Sequence, residues 1–480
     1  MKIIRWILIC GLLWFLVACK QAPESTDIIK RMVSDLESGN LKMVIAIADS
    51  IEKSNTDNTR LKEIADSLSD ISERIYLDFP YSEKQVLLDM EKKTGTFSEM
   101  DKETWEKRGW LESRIIDGEK RYFSRAVTNL ALLRLFHEDK KGWNESNVND
   151  PVNIFRLKNT SDIVRSSSGK MDPSVPVNMM ITYTITVDAD AVPDGEIVRC
   201  WMPWPKNNLP RQRNVELLET SMKDYVISPD SSIHSTLYME QKTKKSTPSV
   251  FKIAFKYQSS GQYFDPDNIK AEKYDKNSEL FKKYTSEQPP QIRFSEKVRH
   301  LADSITAGEN DPRLEVKKIY NWFKENIPWA GALEYSIMPD IPGYVIKNRR
   351  GDCGMQTLLY ISMLRYKGIP VRWQSGWMVP EIGKNLHDWC EIYYEGTGWV
   401  PSDISYDLQN SGDDKVRNFF ISGIDSYRLI LNDGISGKLF PEKKFYRSEP
   451  YDFQRGEVEW KGGNLYFDKW SYDMKIEYLK

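Results

Sequence analysis

Cysteine and histidine are both scarce in this sequence, with five cysteines and four histidines among 480 residues. So few cysteines in so long a chain argue against a disulfide scaffold. No C-x-x-C or H-x-x-x-H pair occurs, which argues against a zinc site, and nothing indicates a cofactor. An excess of charge is also lacking, since 68 Lys and Arg face 70 Asp and Glu. The charge balance therefore gives no sign of a nucleic-acid partner.

A hydrophobic run of membrane-spanning length is missing too. Residues 7–18 are almost wholly apolar, follow Lys2 and Arg5, and stop at Cys19. This layout predicts a secretory signal peptide over residues 1–18. The tetrapeptide from Leu16 to Cys19 resembles the bacterial lipobox, which implies a lipid on Cys19 and a lipid-anchored protein of the cell envelope, periplasmic or surface-exposed. The alternative is a plain signal peptide in which Cys19 is incidental.

Three further cysteines then remain in the mature chain: Cys200, Cys353 and Cys390. An odd number in an exported protein indicates at least one free thiol. A Cys200–Cys390 disulfide is an open alternative for the other two.

The periodicity of apolar residues divides the chain into segments of an α+β protein. Residues 19–165 are predicted to be helical, because apolar residues recur there at spacings of three and four. Alternation of apolar and polar residues predicts a small antiparallel β-sandwich over 172–265. A catalytic domain is expected over 290–440, followed by a β-rich extension over 441–480.

Cys353 is the candidate nucleophile. It opens a strongly apolar helical segment that ends near Gly368. A thiol at the start of a helix faces unpaired N–H groups and the positive end of the helix dipole. Both favour the thiolate, so the sequence predicts a lowered pKa for Cys353.

A nucleophilic cysteine needs a base, and His387 is the candidate. It begins a β-rich segment that a Gly-rich turn connects to Asp403. A hairpin of this length would return Asp403 to the side of His387, where its carboxylate would orient the imidazole. Asp352 and Asp388 are rivals for that role, but each adjoins a catalytic residue and would project elsewhere.

Four blocks in this region resemble the transglutaminase-like superfamily: Gly-Asp-Cys-Gly from Gly351, Gly-Ile-Pro-Val-Arg from Gly368, His-Asp-Trp-Cys-Glu-Ile-Tyr-Tyr from His387, and Gly-Trp-Val-Pro-Ser-Asp ending at Asp403. The resemblance covers about residues 295–410. It implies a papain-like fold with Cys353, His387 and Asp403 as the catalytic triad. It also suggests Trp329, in preference to Trp322, as an oxyanion donor beside the Cys353 N–H. Asp388 departs from the family, which commonly has a small residue there.

Cys-His-Asp chemistry is acyl transfer from an amide to water or to an amine. The favoured expectation is hydrolysis of a peptide or protein substrate. Protein cross-linking and a non-catalytic scaffold lipoprotein are the alternatives. A third hypothesis, glycan binding, depends on Trp201 and Trp204 alone.

Overall fold

The computed structural model describes residues 23–54, 56–167, 171–207 and 209–479. The predicted signal peptide and Cys19 lie outside these residues. The helices are α1 Pro23–Ser38, α2 Leu41–Lys53, α3 Thr59–Asp78, α4 Glu83–Thr94, α5 Glu99–Lys107, α6 Ala126–Glu138, α7 Lys140–Asn149, α8 Pro151–Ser167, α9 Glu279–Thr285, α10 Glu296–Ile305, α11 Pro312–Asn326, α12 Ile341–Asn348, α13 Cys353–Tyr366 and α14 Asp414–Arg417.

The strands are β1 Tyr81–Ser82, β2 Ser113–Ile116, β3 Glu119–Tyr122, β4 Ser174–Val187, β5 Ile197–Pro203, β6 Gln212–Thr220, β7 Tyr225–Ile227, β8 Thr236–Lys242, β9 Ser249–Tyr263, β10 Val371–Met378, β11 Asn385–Tyr394, β12 Gly398–Ser402, β13 Gly423–Ile424, β14 Arg428–Asn432, β15 Glu457–Trp460, β16 Gly463–Leu465 and β17 Trp470–Leu479. Mixed helices and antiparallel sheets make this an α+β protein, as the sequence predicts.

The chain forms two compact units, and the described residues of the first are 23–54, 56–143, 288–291 and 330–350. Its described part is mostly helical. In α3, Leu61, Ala65, Leu68 and Ile75 are buried at the helical spacing seen in the sequence. A three-stranded sheet, β1-β3-β2, interrupts the helices that the sequence predicts here. Residues 330–350 lie inside the predicted catalytic segment, yet they join this unit through contacts such as Arg350–Glu112 at 2.6 Å.

The second unit comprises residues 144–287, 292–329 and 351–480 and contains three sheets. Two of them have the orders β13-β9-β4-β17, with β6 paired to β9, and β16-β15-β5-β8-β7. The predicted alternation is present, since Ile181, Tyr183 and Ile185 of β4 are fully buried and pair with Phe255, Ile253 and Phe251 of β9. Strands from 172–265 and from 441–480 therefore share the same sheets.

The third sheet, β12-β11-β10-β14, belongs to the segment with the candidate catalytic residues. Helix α13 packs on β11 and β10 of this sheet. One apolar cluster continues from the other two sheets into this one and includes Trp377 of β10 and Leu429 of β14. Shared burial of this kind couples the position of β11 to the whole unit, because close-packed interiors transmit small shifts.

Two sequence-based alternatives lose their support. Cys200 and Cys390 are both buried free thiols, so they do not form the alternative disulfide. Trp201 and Trp204 are buried in apolar clusters rather than displayed, which removes the basis for the glycan hypothesis. Within the described residues, no helix is both long enough and apolar enough to cross a membrane.

Candidate active site

Helix α13 begins at Cys353 and is capped by Asp352. The Asp352 carboxylate accepts the Met355 N–H at 3.1 Å, and its carbonyl accepts the Gln356 N–H at 3.0 Å. Neither of these two hydrogen bonds uses the backbone N–H of Cys353 or of Gly354. Such first-turn N–H groups bind anions well, because they carry the positive end of the helix dipole.

The Cys353 thiol has an acidic neighbour. Its Sγ lies 3.4 Å from Oδ2 of Asp388. The residue as a whole is half-buried, but burial of the sulfur raises the pKa of the Cys353 thiol well above its usual value. The carboxylates of Asp388 and Asp352 raise the pKa of Cys353 further. The prediction of a lowered pKa is therefore wrong in direction, because burial of the thiol raises the pKa and the two acids add to this effect.

His387 and Asp403 form a buried pair. His387 lies on β11, and Asp403 follows β12 directly, so the β11–β12 hairpin returns the carboxylate to the ring. The distance from His387 Nε2 to Asp403 Oδ2 is 2.8 Å. With Nε2 held in this way, Nδ1 is the ring nitrogen available for proton exchange.

Arg428 on β14 contacts the same oxygen of Asp403 as His387 does. Its Nη2 lies 2.9 Å from Asp403 Oδ2 and 2.7 Å from Asp425 Oδ2, and it is fully buried. Burial alone would raise the pKa of Asp403, but His387 and Arg428 together hold it well below its usual range. Asp403 is therefore an anion near neutral pH.

The His387 ring packs between aromatic side chains. It stacks on Tyr406 with 5.1 Å between ring centroids and on Trp389 with 6.1 Å. Burial lowers the pKa of His387, and the charge of Arg428 lowers it further, although Asp403 acts in the opposite direction. The imidazole is therefore neutral near pH 7, which is the form that accepts a proton.

Comparison with known proteins identifies a family for this part of the chain. Residues 299–404 match the model of the transglutaminase-like superfamily. These residues form a transglutaminase-like domain. Over 155 residues the chain is 27% identical to the protein YebA of Bacillus subtilis, a match that spans 28% of this chain and 21% of YebA.

Solved structures give a looser likeness. A protein from Cytophaga hutchinsonii, proposed to be a cysteine protease, is 14% identical with a TM-score of 0.45, covering 64% of this chain and 92% of that one. The periplasmic domain of TgpA from Pseudomonas aeruginosa is also 14% identical, with a TM-score of 0.25, covering 51% of this chain and 91% of that one.

Within the transglutaminase-like domain, the structure brings two of the three predicted residues into direct contact. His387 bonds to Asp403, while the hydrogen bond of Cys353 goes to Asp388; no hydrogen bond joins Cys353 to His387 in the described part of the chain. The two rival carboxylates have other partners, since Asp352 caps α13 and Asp388 contacts the thiol.

Trp329 pairs through its backbone with Gly351, two residues before Cys353, in an isolated parallel bridge. Its side chain is 39% exposed. Its role as an oxyanion donor stays a prediction. The described residues contain no group of three or more His, Cys, Asp and Glu side chains placed to hold a metal ion.

Two residues of the site were not predicted from the sequence. Arg428 and Gln454 both lie beyond residue 404, where the family match ends. Gln454 donates from Nε2 to the His387 carbonyl at 2.9 Å and to Asp388 Oδ1 at 2.7 Å. A buried arginine in a strand, here Arg428, is a usable signal, because such a charge needs a buried partner. Nothing in the sequence around Gln454 points to the site.

Proposed function

We propose that this protein is a cysteine amidase or peptidase that cleaves amide bonds through an acyl-thioester on Cys353. The observation that carries the proposal is the buried His387–Asp403 pair, 2.8 Å apart, in the domain where Cys353 opens helix α13. A neutral histidine oriented by a carboxylate is the arrangement that a thiol nucleophile requires.

In the first half-reaction, His387 accepts a proton and then donates it. Nδ1 of His387 takes the proton from the Cys353 thiol as Sγ attacks the amide carbonyl carbon. The carbonyl oxygen becomes an oxyanion, for which the N–H groups of Cys353 and Gly354 are suitable donors. His387 then gives its proton to the leaving amine as the C–N bond breaks. A thioester remains on Cys353.

The second half-reaction returns the enzyme to its starting state. His387 removes a proton from water, and the resulting hydroxide attacks the thioester carbonyl. The C–S bond breaks, the carboxylic acid leaves, and His387 returns the proton to Cys353. Asp403 remains an anion throughout and stabilises the imidazolium that forms twice in the cycle.

The location of the protein is part of the proposal. An apolar run that ends at Cys19 favours export and lipid anchoring at the cell envelope. The substrate would then be a peptide or protein of that compartment. Radiolabelled fatty acid incorporated into the wild-type chain but not into a Cys19→Ala chain would support the anchor. Equal labelling of the two chains would contradict it.

The test of the activity uses casein together with a fluorescent alkylamine. Hydrolysis produces new amine termini, whereas transfer attaches the fluorescent amine to casein, so one reaction separates the two outcomes. The expected result is hydrolysis that is lost in Cys353→Ala. Incorporation of the amine would instead establish a cross-linking enzyme.

A folded wild type that shows neither reaction on casein or on a broad peptide mixture would contradict the proposal. The scaffold alternative would then be the better account. The matched control is Cys390→Ala, which removes a buried thiol of the same domain that bonds to the Ser402 carbonyl and touches neither His387 nor Cys353. It should retain full activity.

A further inference from the structure

The carboxyl group of Asp388 is the side chain that contacts the reactive sulfur. Oδ2 lies 3.4 Å from Cys353 Sγ. Asp388 is only 2% exposed. It directly follows His387, so β11 supplies the proposed base and this carboxyl group from adjacent positions.

Gln454 determines which oxygen of the Asp388 carboxyl group can carry a proton. Its Nε2 donates to Oδ1 of Asp388 at 2.7 Å, and its backbone N–H is held by Glu449 Oε2 at 2.7 Å. An amide nitrogen only donates hydrogen bonds, so Oδ1 has to act as the acceptor. A proton on the carboxyl group therefore belongs on Oδ2, the oxygen that faces Cys353.

The surroundings of Asp388 favour that proton. Burial raises the pKa of Asp388 well above its usual value, and the carboxylates of Asp452 and Asp352 raise it further. The hydrogen bond with Cys353 lowers the pKa of Asp388, and Glu449 raises it, although Arg455 pairs with Glu449 at 2.6 Å. Among the described residues no cation forms an ion pair with Asp388, whereas Asp403 has Arg428.

We propose that Asp388 is a further catalytic residue, which keeps its proton and donates it as a hydrogen bond to the Cys353 thiolate. The inference depends on the proposed function, since the thiolate forms when His387 takes the thiol proton. The neutral acid stabilises the sulfur anion through a charge-assisted bond. The ionised carboxylate repels the same anion and returns Cys353 to the thiol.

This assignment predicts how reactivity depends on pH. The anion of Asp388 is the inhibitory form, so reactivity falls as the pH rises through the pKa of Asp388. That pKa lies above the ordinary value of about 3.9.

The experiment measures the rate of Cys353 alkylation by iodoacetamide across pH in the purified full-length chain, with peptide mass spectrometry as the readout. Asp388→Asn is the decisive variant, since its amide oxygen can accept from Gln454 while its NH₂ group donates to Sγ at every pH. The decrease in alkylation rate with rising pH should be absent in Asp388→Asn. At pH values above the one at which the wild-type rate decreases, this variant should react at least ~10-fold faster than wild type.

Asp388→Ala removes the donor and should react more slowly than wild type at pH values below the fall. Glu391→Gln is the matched control, because it makes the same acid-to-amide change on β11 at a residue that pairs with Arg372 instead of Cys353. Its pH profile should equal that of wild type.

A wild-type profile without a fall, or the same fall in Asp388→Asn, would overturn the inference. If Asp388→Asn fails to fold, Asp452→Asn tests the same idea with Asp388 in place. Loss of the Asp452 carboxylate should shift the fall to lower pH, and an unshifted fall would count against the proposal.

Alkylation needs no substrate, so the two proposals can fail separately. A chain that cleaves no amide but shows the Asp388-dependent fall would contradict only the proposed function. A chain that cleaves amides and keeps its pH profile in Asp388→Asn would contradict only the role of Asp388.

Discussion

The two halves of the candidate site differ in how their charges are balanced. Around His387, Oδ2 of Asp403 contacts both the imidazole and the Arg428 cation. Around Cys353, burial raises the pKa of the thiol, two carboxyl groups raise it further when they are ionised, and an uncharged amide holds one of them. The base half is prepared for its role before substrate arrives. The nucleophile half acquires its charge only when a proton moves.

This difference changes the expected mechanism. A preformed thiolate–imidazolium pair would need a low pKa for Cys353 and a high pKa for His387. The pKa of Cys353 is raised and that of His387 is lowered, so the resting site holds a thiol and a neutral imidazole. Proton transfer then accompanies attack, as in general-base catalysis.

The largest expected effect comes from removing either member of the proton transfer. Cys353→Ala should abolish turnover because no thioester can form. His387→Ala should reduce kcat/KM by about 10²- to 10⁴-fold, the usual contribution of a general base. Hydrolysis of a casein peptide measures both, and a His387→Ala protein with wild-type kcat/KM would contradict the assignment of the base.

Asp403→Asn separates orientation from charge in the base half. The amide can keep the shape of the site but would favour the wrong imidazole tautomer, and in a serine triad the equivalent change costs about 10⁴-fold in kcat. We expect a loss of this order with a folded protein. Circular dichroism and a kcat measurement together check it; a folded variant that loses less than tenfold would show that Asp403 does not set the tautomer.

Arg428→Met tests the balance of charge directly. It leaves the Asp403 and Asp425 carboxylates buried without their shared cation, which should cost about 3–5 kcal/mol of unfolding free energy. Urea denaturation measures the cost. Arg428→Lys keeps the positive charge but loses the bidentate geometry, so its loss should be smaller.

Arg428→Met should also change how the stability of the protein depends on acid pH. The folded-state pKa of Asp403 is depressed, so its stabilising contribution is present above the unfolded value of about 3.9 and is lost as the pH falls through the folded value. Without Arg428 the folded pKa rises, so destabilisation should begin at higher pH. Unfolding midpoints between pH 3 and 7 test this, and parallel curves would contradict it.

The smallest expected effect is that of Tyr406→Phe. The ring that stacks on His387 is retained, and the change loses only the hydroxyl contact to Met378 Sδ at 3.0 Å. We expect less than about 1 kcal/mol in stability and a kcat within a few-fold of wild type. Tyr406→Ala, which removes the stack, should lower kcat more. Equal values for the two variants would show that the stack is unimportant.

The local sequence pattern was sufficient to predict the helix and the hairpin that position the site residues. Asp352 caps α13, the alternation along β11 separates His387 from Cys390, and the Gly-rich turn returns Asp403 to His387. Each of these features depends on neighbours within about twenty residues, so periodicity and turn residues predict them.

Contacts between distant segments could not be predicted in this way. Arg428, Gln454 and the acids near Cys353 come together only through the order of strands in the sheets. Burial of the Cys353 thiol, together with the charges of Asp388 and Asp352, reverses the expected direction of its pKa shift. The sign of a pKa shift is therefore a property of the folded surroundings.

The central claim is that His387 activates Cys353. Its most direct test compares the rate of iodoacetamide labelling at Cys353 between wild type and His387→Ala near pH 7, with the unfolded chain as the reference for an ordinary thiol. We predict that the variant labels Cys353 at least ~10²-fold more slowly than folded wild type, while the unfolded chains of both proteins label it at the same rate. Equal rates in wild type and His387→Ala would contradict the account.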